Sequence, residues 1–174
     1  MNVPSLVRKG QDLALQLLGR MEFVPALLTR LIVGFAFFDS GSGKLANMEN
    51  TVNFFTDLGI PFPEMNAAFV SRLEYYGGML ILAGVATRIV ALLLSSTMIV
   101  ALLTADRETF LNAFFRKAAE DGSAGIGLSD VAPFVLLAFL SWLVVRGAGA
   151  LSGDFLLAKV LRADPPKADE PKAA

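Results

Sequence analysis

The stretch AAFVSRLEYYGGMLILAGVATRIVALLLSSTMIVALLTA, residues 67–105, decides the fold. Its second half, IVALLLSSTMIVALLTA from Ile89 to Ala105, contains no charged residue. A membrane-crossing helix needs about 20 mainly apolar residues, and Ala67–Ala86 supplies a second such run immediately before it. Only Thr87 and Arg88 separate the two. That leaves room for a tight turn and nothing else, so the pair must be an antiparallel helical hairpin. Working outward, Phe23–Gly43 and Leu128–Val145 are two further apolar runs. None shows the long period-two alternation of a barrel strand. The expectation is an all-α fold: an integral membrane four-helix bundle with short interfacial helices.

Composition agrees. The 174 residues are 55% hydrophobic and 18% charged, with a mean hydropathy of +0.59; soluble domains are nearer half apolar and a quarter charged. The net charge of -1 gives no global field for nucleic acid, and no basic run interleaved with aromatics is present. The chain has no histidine and no cysteine. Disulfides, histidine-held haem, thiolate-held iron–sulfur clusters, zinc sites and Ser-His-Asp or thiol catalysis are therefore excluded within it. There is no P-loop and no dinucleotide fingerprint. No catalytic residue can be assigned, no metal is expected and no cofactor is intrinsic; any redox role needs an organic carrier or a partner subunit.

Charge placement gives an orientation. Arg8, Lys9, Arg20, Arg88, Arg146, Lys159, Arg162, Lys167 and Lys172 lie on the side of the termini, against Lys44, Arg72, Arg107, Arg116 and Lys117 on the other. The positive-inside rule makes both termini cytoplasmic, in a multi-pass protein of a bacterial inner membrane. Trp142 fits an interfacial belt near the inner end of the fourth run. Residues 1–22 read as an N-terminal interfacial amphipathic segment, not a signal peptide, because the apolar run Leu13–Leu18 is short and broken by Gln16. Residues 23–157 form the four-helix domain. Residues 158–174 are a charged, proline-rich tail expected to be disordered. The outer connections run about Lys44–Asn66 and Asp106–Gly127. Within the latter, Phe110, Leu111, Phe114 and Phe115 share one helical face. Such a helix either lies on the membrane surface or packs on the bundle as a lid.

Ionisable groups inside a span are costly and need a partner or water. Arg30 and Glu74 are the two deepest; Asp39, Arg72 and Arg88 lie nearer the ends. Arg30, Gly34, Phe37, Gly41 and Lys44 step by four and three along one face of the first helix, and Glu74, Gly77 or Gly78, Ile81, Gly84 and Arg88 do so in the second. Glycines at this spacing let helices approach closely in lipid. Packing stripe on stripe places Arg30 about 20 Å and Glu74 about 12 Å from the outer ends, at 1.5 Å per residue. The gap of about 8 Å is within reach of an arginine side chain or one water, so an Arg30–Glu74 pair is expected, with Lys44 above it. Two readings of that pair stand: a structural device fixing helix register, or part of a binding site. Arg88 reads as a topology anchor in the tight turn. Tyr75 and Tyr76 read as packing or interfacial anchors, or as pocket-lining residues.

Four stretches, holding five motifs in order, carry a resemblance: TRLIVGFAFFDSGSGKL, FFTDLGIPFP, LEYYGGMLILAGVATRIVAL, and RGAGALSGDFLL with its G-x-G-x-x-S-x-D spacing. They supply Arg30, Gly34, Gly41, Gly43 and Lys44; Leu58, Gly59, Ile60 and Pro61; Glu74, Gly77 and Gly78; Gly84, Thr87 and Arg88; and Gly147, Gly149, Ser152 and Asp154. From about Thr29 to Leu157 the chain resembles the DoxX family. Asp39-Ser40 and the long loop before the fourth helix depart from the family pattern. The resemblance implies a membrane protein related to subunits of a terminal quinol oxidase and of thiosulfate:quinone oxidoreductase, some relatives associating with oxidative-stress proteins. It implies a membrane subunit of a redox assembly contributing a quinone or small-anion site, with Arg30 and Lys44 as the anion groups and Glu74 orienting them. The alternatives are a non-catalytic anchor or assembly partner for soluble oxidoreductases, and a small-solute permease. Expected partners are the lipid bilayer, oxidoreductase subunits and, compatibly, a second copy of the chain.

Overall fold

The computed structural model describes residues 23–115, 127–147, 149 and 152–154. These form six α-helices: α1 (Phe23–Ala46), α2 (Met48–Asp57), α3 (Pro63–Ala83), α4 (Thr87–Leu103), α5 (Arg107–Phe114) and α6 (Ala132–Arg146), with a single 3-10 turn at Leu128–Asp130 before α6. No strand occurs among the described residues. The interfacial segment expected at 1–22 and the tail expected at 158–174 lie outside them.

The four apolar runs are α1, α3, α4 and α6. They pack in a closed ring: α1 on α3, α3 on α4, α4 on α6, α6 on α1. One core fills the ring, from Val33 and Phe37 of α1, Ile81 of α3, Val90, Leu94 and Met98 of α4, and Leu140 and Leu143 of α6. Large apolar side chains also face outward on all four, among them Ile32, Phe35, Phe69, Ile89, Leu103 and Val145. By length and composition α1 alone is a clear membrane-crossing helix; α4 and α5 qualify only together and are bent by 83°, and α6 is apolar but shorter. α3 has 21 residues but carries Glu64, Arg72 and Glu74.

The α1–α3 contact is the most extensive of the ring, and glycine makes it so. A Cβ on Gly41 would strike the backbone N of Tyr75, and one on Gly78 the backbone N of Phe38; one on Gly34 would come within 3.0 Å of the Gly78 carbonyl oxygen. Gly77 was expected to share this seam. It faces α4 instead, where a Cβ would lie 3.3 Å from Val90 and Leu94. The two adjacent glycines thus serve two neighbours, since successive helix positions diverge by 100°.

The α3–α4 turn is tight, as expected. Gly84 ends α3 at φ +70°, its N–H donating to the Ile81 carbonyl (3.1 Å) while that of Val85 donates to Leu80 (3.0 Å), a left-handed helix ending that suits glycine. The 44–66 connection, to which the sequence assigned no element, contains α2, which packs on α3. Its Thr51 and Phe55 are buried, while Phe54 is exposed among polar neighbours, a mixture that hid the helix from a hydropathy reading. In α5, Ala113 and Phe110 pack toward Leu102, Val131 and Phe134, whereas Leu111, Phe114 and Phe115 are exposed. One face is therefore on the bundle and the other is free.

Candidate functional site: a Lys44–Glu74 ion pair beneath an apolar cavity

Glu74 is 1% exposed in the middle of α3. Two side chains from the last turns of α1 reach its carboxylate: Lys44 Nζ donates to Oε2 at 2.5 Å and Ser40 Oγ to the same oxygen at 3.0 Å. Oε1 takes no hydrogen bond among the described residues. Lys44 and Ser40 are four residues apart on one face of α1, one turn on from Phe37 and Gly41. The close approach at Gly41 brings that face onto Tyr75 and Glu74. Lys44 also lies at the C-terminal end of α1, where a cation is favoured by the helix dipole.

Above this pair is a cavity of about 480 Å³, within the 300–1,000 Å³ typical of small-molecule sites. Lys44 and Glu74 form its charged base. Its walls come from Phe54 and Phe55 of α2, the loop Leu58-Gly59-Ile60-Pro61, Phe69 and Val70 of α3, and Thr97, Val100 and Ala101 of α4. The loop is fixed by Ile60 N donating to Phe55 O (3.0 Å) and by Asn66 Nδ2 donating to Pro61 O (2.6 Å). An apolar chamber with a few convergent polar groups is the usual form of a ligand site.

Arg30 is not part of it. A Cβ built on Gly84 would lie 2.6 Å from an Arg30 guanidinium nitrogen and 2.8 Å from Ser152 Cβ, and the Asp154 carboxylate acts on Arg30 electrostatically. Gly84 is ten residues beyond Glu74, or about 15 Å along α3. The expected Arg30–Glu74 pair is therefore corrected: Arg30 belongs to the α3–α4 turn, and Glu74 pairs with Lys44. The error was one of register. Matching the apolar ends of the two runs left them about five residues out of step with the observed seam, in which Gly41 sits at Glu74–Tyr75 and Gly34 at Gly78–Leu82. An anion site built jointly from Arg30 and Lys44 is likewise not assembled.

At the Arg30 end, Asp154 accepts hydrogen bonds from the backbone N–H groups of Ala86 (2.7 Å) and Thr87 (3.1 Å), and its own N–H donates to Gly84 O (2.9 Å). The carboxylate caps the N-terminus of α4 from outside the hairpin. Ala86 sits there at φ +49°, a conformation rare for a residue with a side chain. Sequence reasoning named Asp154 only within a family phrase; no spacing rule predicts a cap 67 residues away.

The other expected site residues are scattered. Asp39 is exposed. Arg72 is exposed and donates to the Ala68 carbonyl of its own helix (3.1 Å). Tyr75 stacks on Phe38 with ring centres 5.1 Å apart and meets Tyr76 edge-on at 5.2 Å; neither lines the cavity. Arg88 is exposed and lies against Gly147, where a Cβ would be 3.1 Å from its Nε. Ser40 is the residue sequence reasoning missed. It was noted as a departure from the family pattern, and its position four residues before Lys44 was the available signal.

Comparison with known proteins bears on the segment that holds both ends of this arrangement. Residues 26–107 match the DoxX family model. The chain is 40% identical over 81 residues to a Bacillus subtilis (strain 168) protein named "Putative oxidoreductase CatD", a match covering 47% of this chain and 59% of that protein. No solved structure gives a significant match. Ser152 and Asp154 lie beyond the region that matches the DoxX model, whereas Arg30, Ser40, Lys44, Glu74 and Gly84 are all inside it.

Proposed function

We propose that the chain is a multi-pass protein of a bacterial cytoplasmic membrane, both termini inside, that contributes a quinone-binding site to an oxidoreductase assembly. The observation that carries the reading is the apolar cavity based on Lys44 and Glu74. The outward apolar side chains on all four long helices support lipid as the surroundings, because contiguous apolar surface of that extent is unusual on a soluble monomer. The similarity to a named oxidoreductase supports the redox context.

The residues present fit such a ligand. A quinone ring is flat and apolar with carbonyl oxygens at its edge, and when bound it would supply two-electron, two-proton redox chemistry. Lys44 Nζ has three donors, of which Glu74 and one carbonyl-type acceptor can share the set. Glu74 Oε1 can accept from a ring hydroxyl. Lys44 and Ser40 together hold the Glu74 carboxylate in one orientation; the carboxylate is buried, while the Lys44 side chain stays 31% exposed. The paired charges cancel, so the base of the cavity favours a neutral polar edge over a free anion. Redox partners would be separate subunits, since this chain has no metal-binding histidine or cysteine.

Mild-detergent purification followed by mass spectrometry of the extracted lipids tests the proposal. Co-purified quinone, or added quinone bound by the native protein and weakened at least about tenfold by Lys44→Met, a loss equal to one good hydrogen bond, is expected. Absence of any quinone binding, with soluble oxidoreductases still co-purifying, would instead favour the anchor role, with the charged pair serving only register.

A further inference from the structure

We infer that the cavity admits its ligand sideways from the bilayer, through the gap between the cavity-lining ends of α3 and α4, and that the ligand's long apolar tail stays in that gap. The inference rests on the quinone-site reading above and narrows it to tailed, lipid-soluble carriers.

α3 and α4 touch near their shared turn, where Gly77 lies against Val90 and Leu94. At their other ends they no longer close on each other: Phe69 and Val70 of α3 and Val100 and Ala101 of α4 line the cavity between them. Two helices leaving a tight turn and diverging make a wedge widest at the far end, and the cavity occupies it. The end of that wedge away from the turn is covered. α2 packs on α3, Phe55 is buried, and the 58–61 loop is held by the two hydrogen bonds described above. The side of the wedge is different. Phe69 and Val100 line the cavity and yet are 60% and 48% exposed on the outside of the bundle. Val100 lies on the exposed face of α4 with Leu92 and Leu103, which share its side at helical spacing, and Ser96 between them also lines the cavity. The rim therefore merges with the surface that faces lipid. A headgroup can rest on Lys44 and Glu74 while a chain of methylenes leaves between Phe69 and Val100.

The absence of native cysteine makes the gap addressable. Val100→Cys places a thiol on the rim. Leu103→Cys places one on the same helix, 65% exposed and not lining the cavity. Each is labelled with a bulky maleimide in lipid nanodiscs, and equilibrium binding is measured for a decyl-tailed benzoquinone and for its tail-less, water-soluble ring. Label at Val100→Cys should weaken the tailed quinone at least about tenfold, equivalent to expelling about two methylene groups, and change the tail-less ring less than about twofold. Label at Leu103→Cys should change neither. The lateral route is overturned if label at Val100→Cys leaves tailed binding intact, or weakens both ligands alike. If neither ligand binds the unlabelled protein, or both bind Lys44→Met unchanged, the site itself is wrong and the route falls with it.

Discussion

Replacing Gly78 with alanine should separate the two helices that carry the site. A Cβ there would meet Gly34 O at 2.7 Å and Phe38 Cα at 2.9 Å, besides a still closer Phe38 N. All three are backbone atoms, so no side-chain rotation relieves them. Ordinary carbon contacts lie at about 3.5–4.0 Å, and α1 must therefore move off α3 by about 1 Å. A gap of that size forfeits about a quarter to a half of each contact it opens, along the most extensive helix pair of the bundle. Overpacking of this kind costs about 1–3 kcal/mol, while glycine to alanine within a helix returns about 1 kcal/mol through propensity. Because the shift is rigid and shared along the seam, the net should be a loss of about 1–3 kcal/mol. Gly43→Ala is the internal control. It is exposed on α1, the partner helix, with nothing within 4 Å of its Cβ, so it should gain about 0.5–1 kcal/mol. Reversible unfolding in mixed micelles, followed by the fluorescence of the single tryptophan, gives both values. Equal stability of Gly78→Ala and Gly43→Ala would refute the close α1–α3 seam.

In a double-mutant cycle of Lys44→Met and Glu74→Gln, the double variant should be more stable than Lys44→Met alone, with a coupling of about 1–3 kcal/mol, because the single change strands a buried carboxylate; additive losses would mean the two do not interact. Arg30→Gln and Glu74→Gln, at opposite ends of the seam, should by contrast add within about 0.5 kcal/mol, and a large coupling would restore the direct pair. Ser40→Ala should cost about 1 kcal/mol in thermal stability and weaken quinone binding through a looser Glu74; unchanged binding would leave Ser40 with a purely structural role. Asp154→Ala should cost about 1–2 kcal/mol, as loss of a helix cap does, with Asp154→Asn recovering part of it; if the two variants are equally destabilised, the cap is not what Asp154 contributes.

The helices were legible because hydropathy and helix length are local properties: α1, α3, α4 and α6 each fall within a few residues of an apolar run. α2 was not, since a helix on the rim of a bundle buries little beyond Thr51 and Phe55 and leaves no apolar stripe long enough to read. The seam was half legible. Glycine spacing identified the faces of α1 and α3 correctly, and Glu74 and Lys44 were both singled out as site residues. What the spacing could not fix was the slide of one helix along the other, because an error of five residues keeps the same faces in contact while exchanging Lys44 for Arg30 as the partner of Glu74. Depth of backbone contact, set by where a Cβ is sterically forbidden, decides that slide. The cavity was illegible for a related reason: it is made by two helices diverging and a loop covering them, and divergence has no signature in a single run of residues.

The cap on α4 has a consequence for how the protein is made. The turn at Gly84–Thr87 reverses the chain near its middle, with Ala86 held in a left-handed conformation by a carboxylate 68 residues further on. During synthesis α3 and α4 emerge long before Asp154 exists, so the hairpin must form with the Ala86 and Thr87 N–H groups served by water or by lipid headgroups. Closing the loop between turn and cap then costs entropy that grows only slowly with its length. The last described residues thus act as a seal on an event begun early in translation, and a chain stopped just after α6 would possess all four long helices and still lack the group that locks their central reversal.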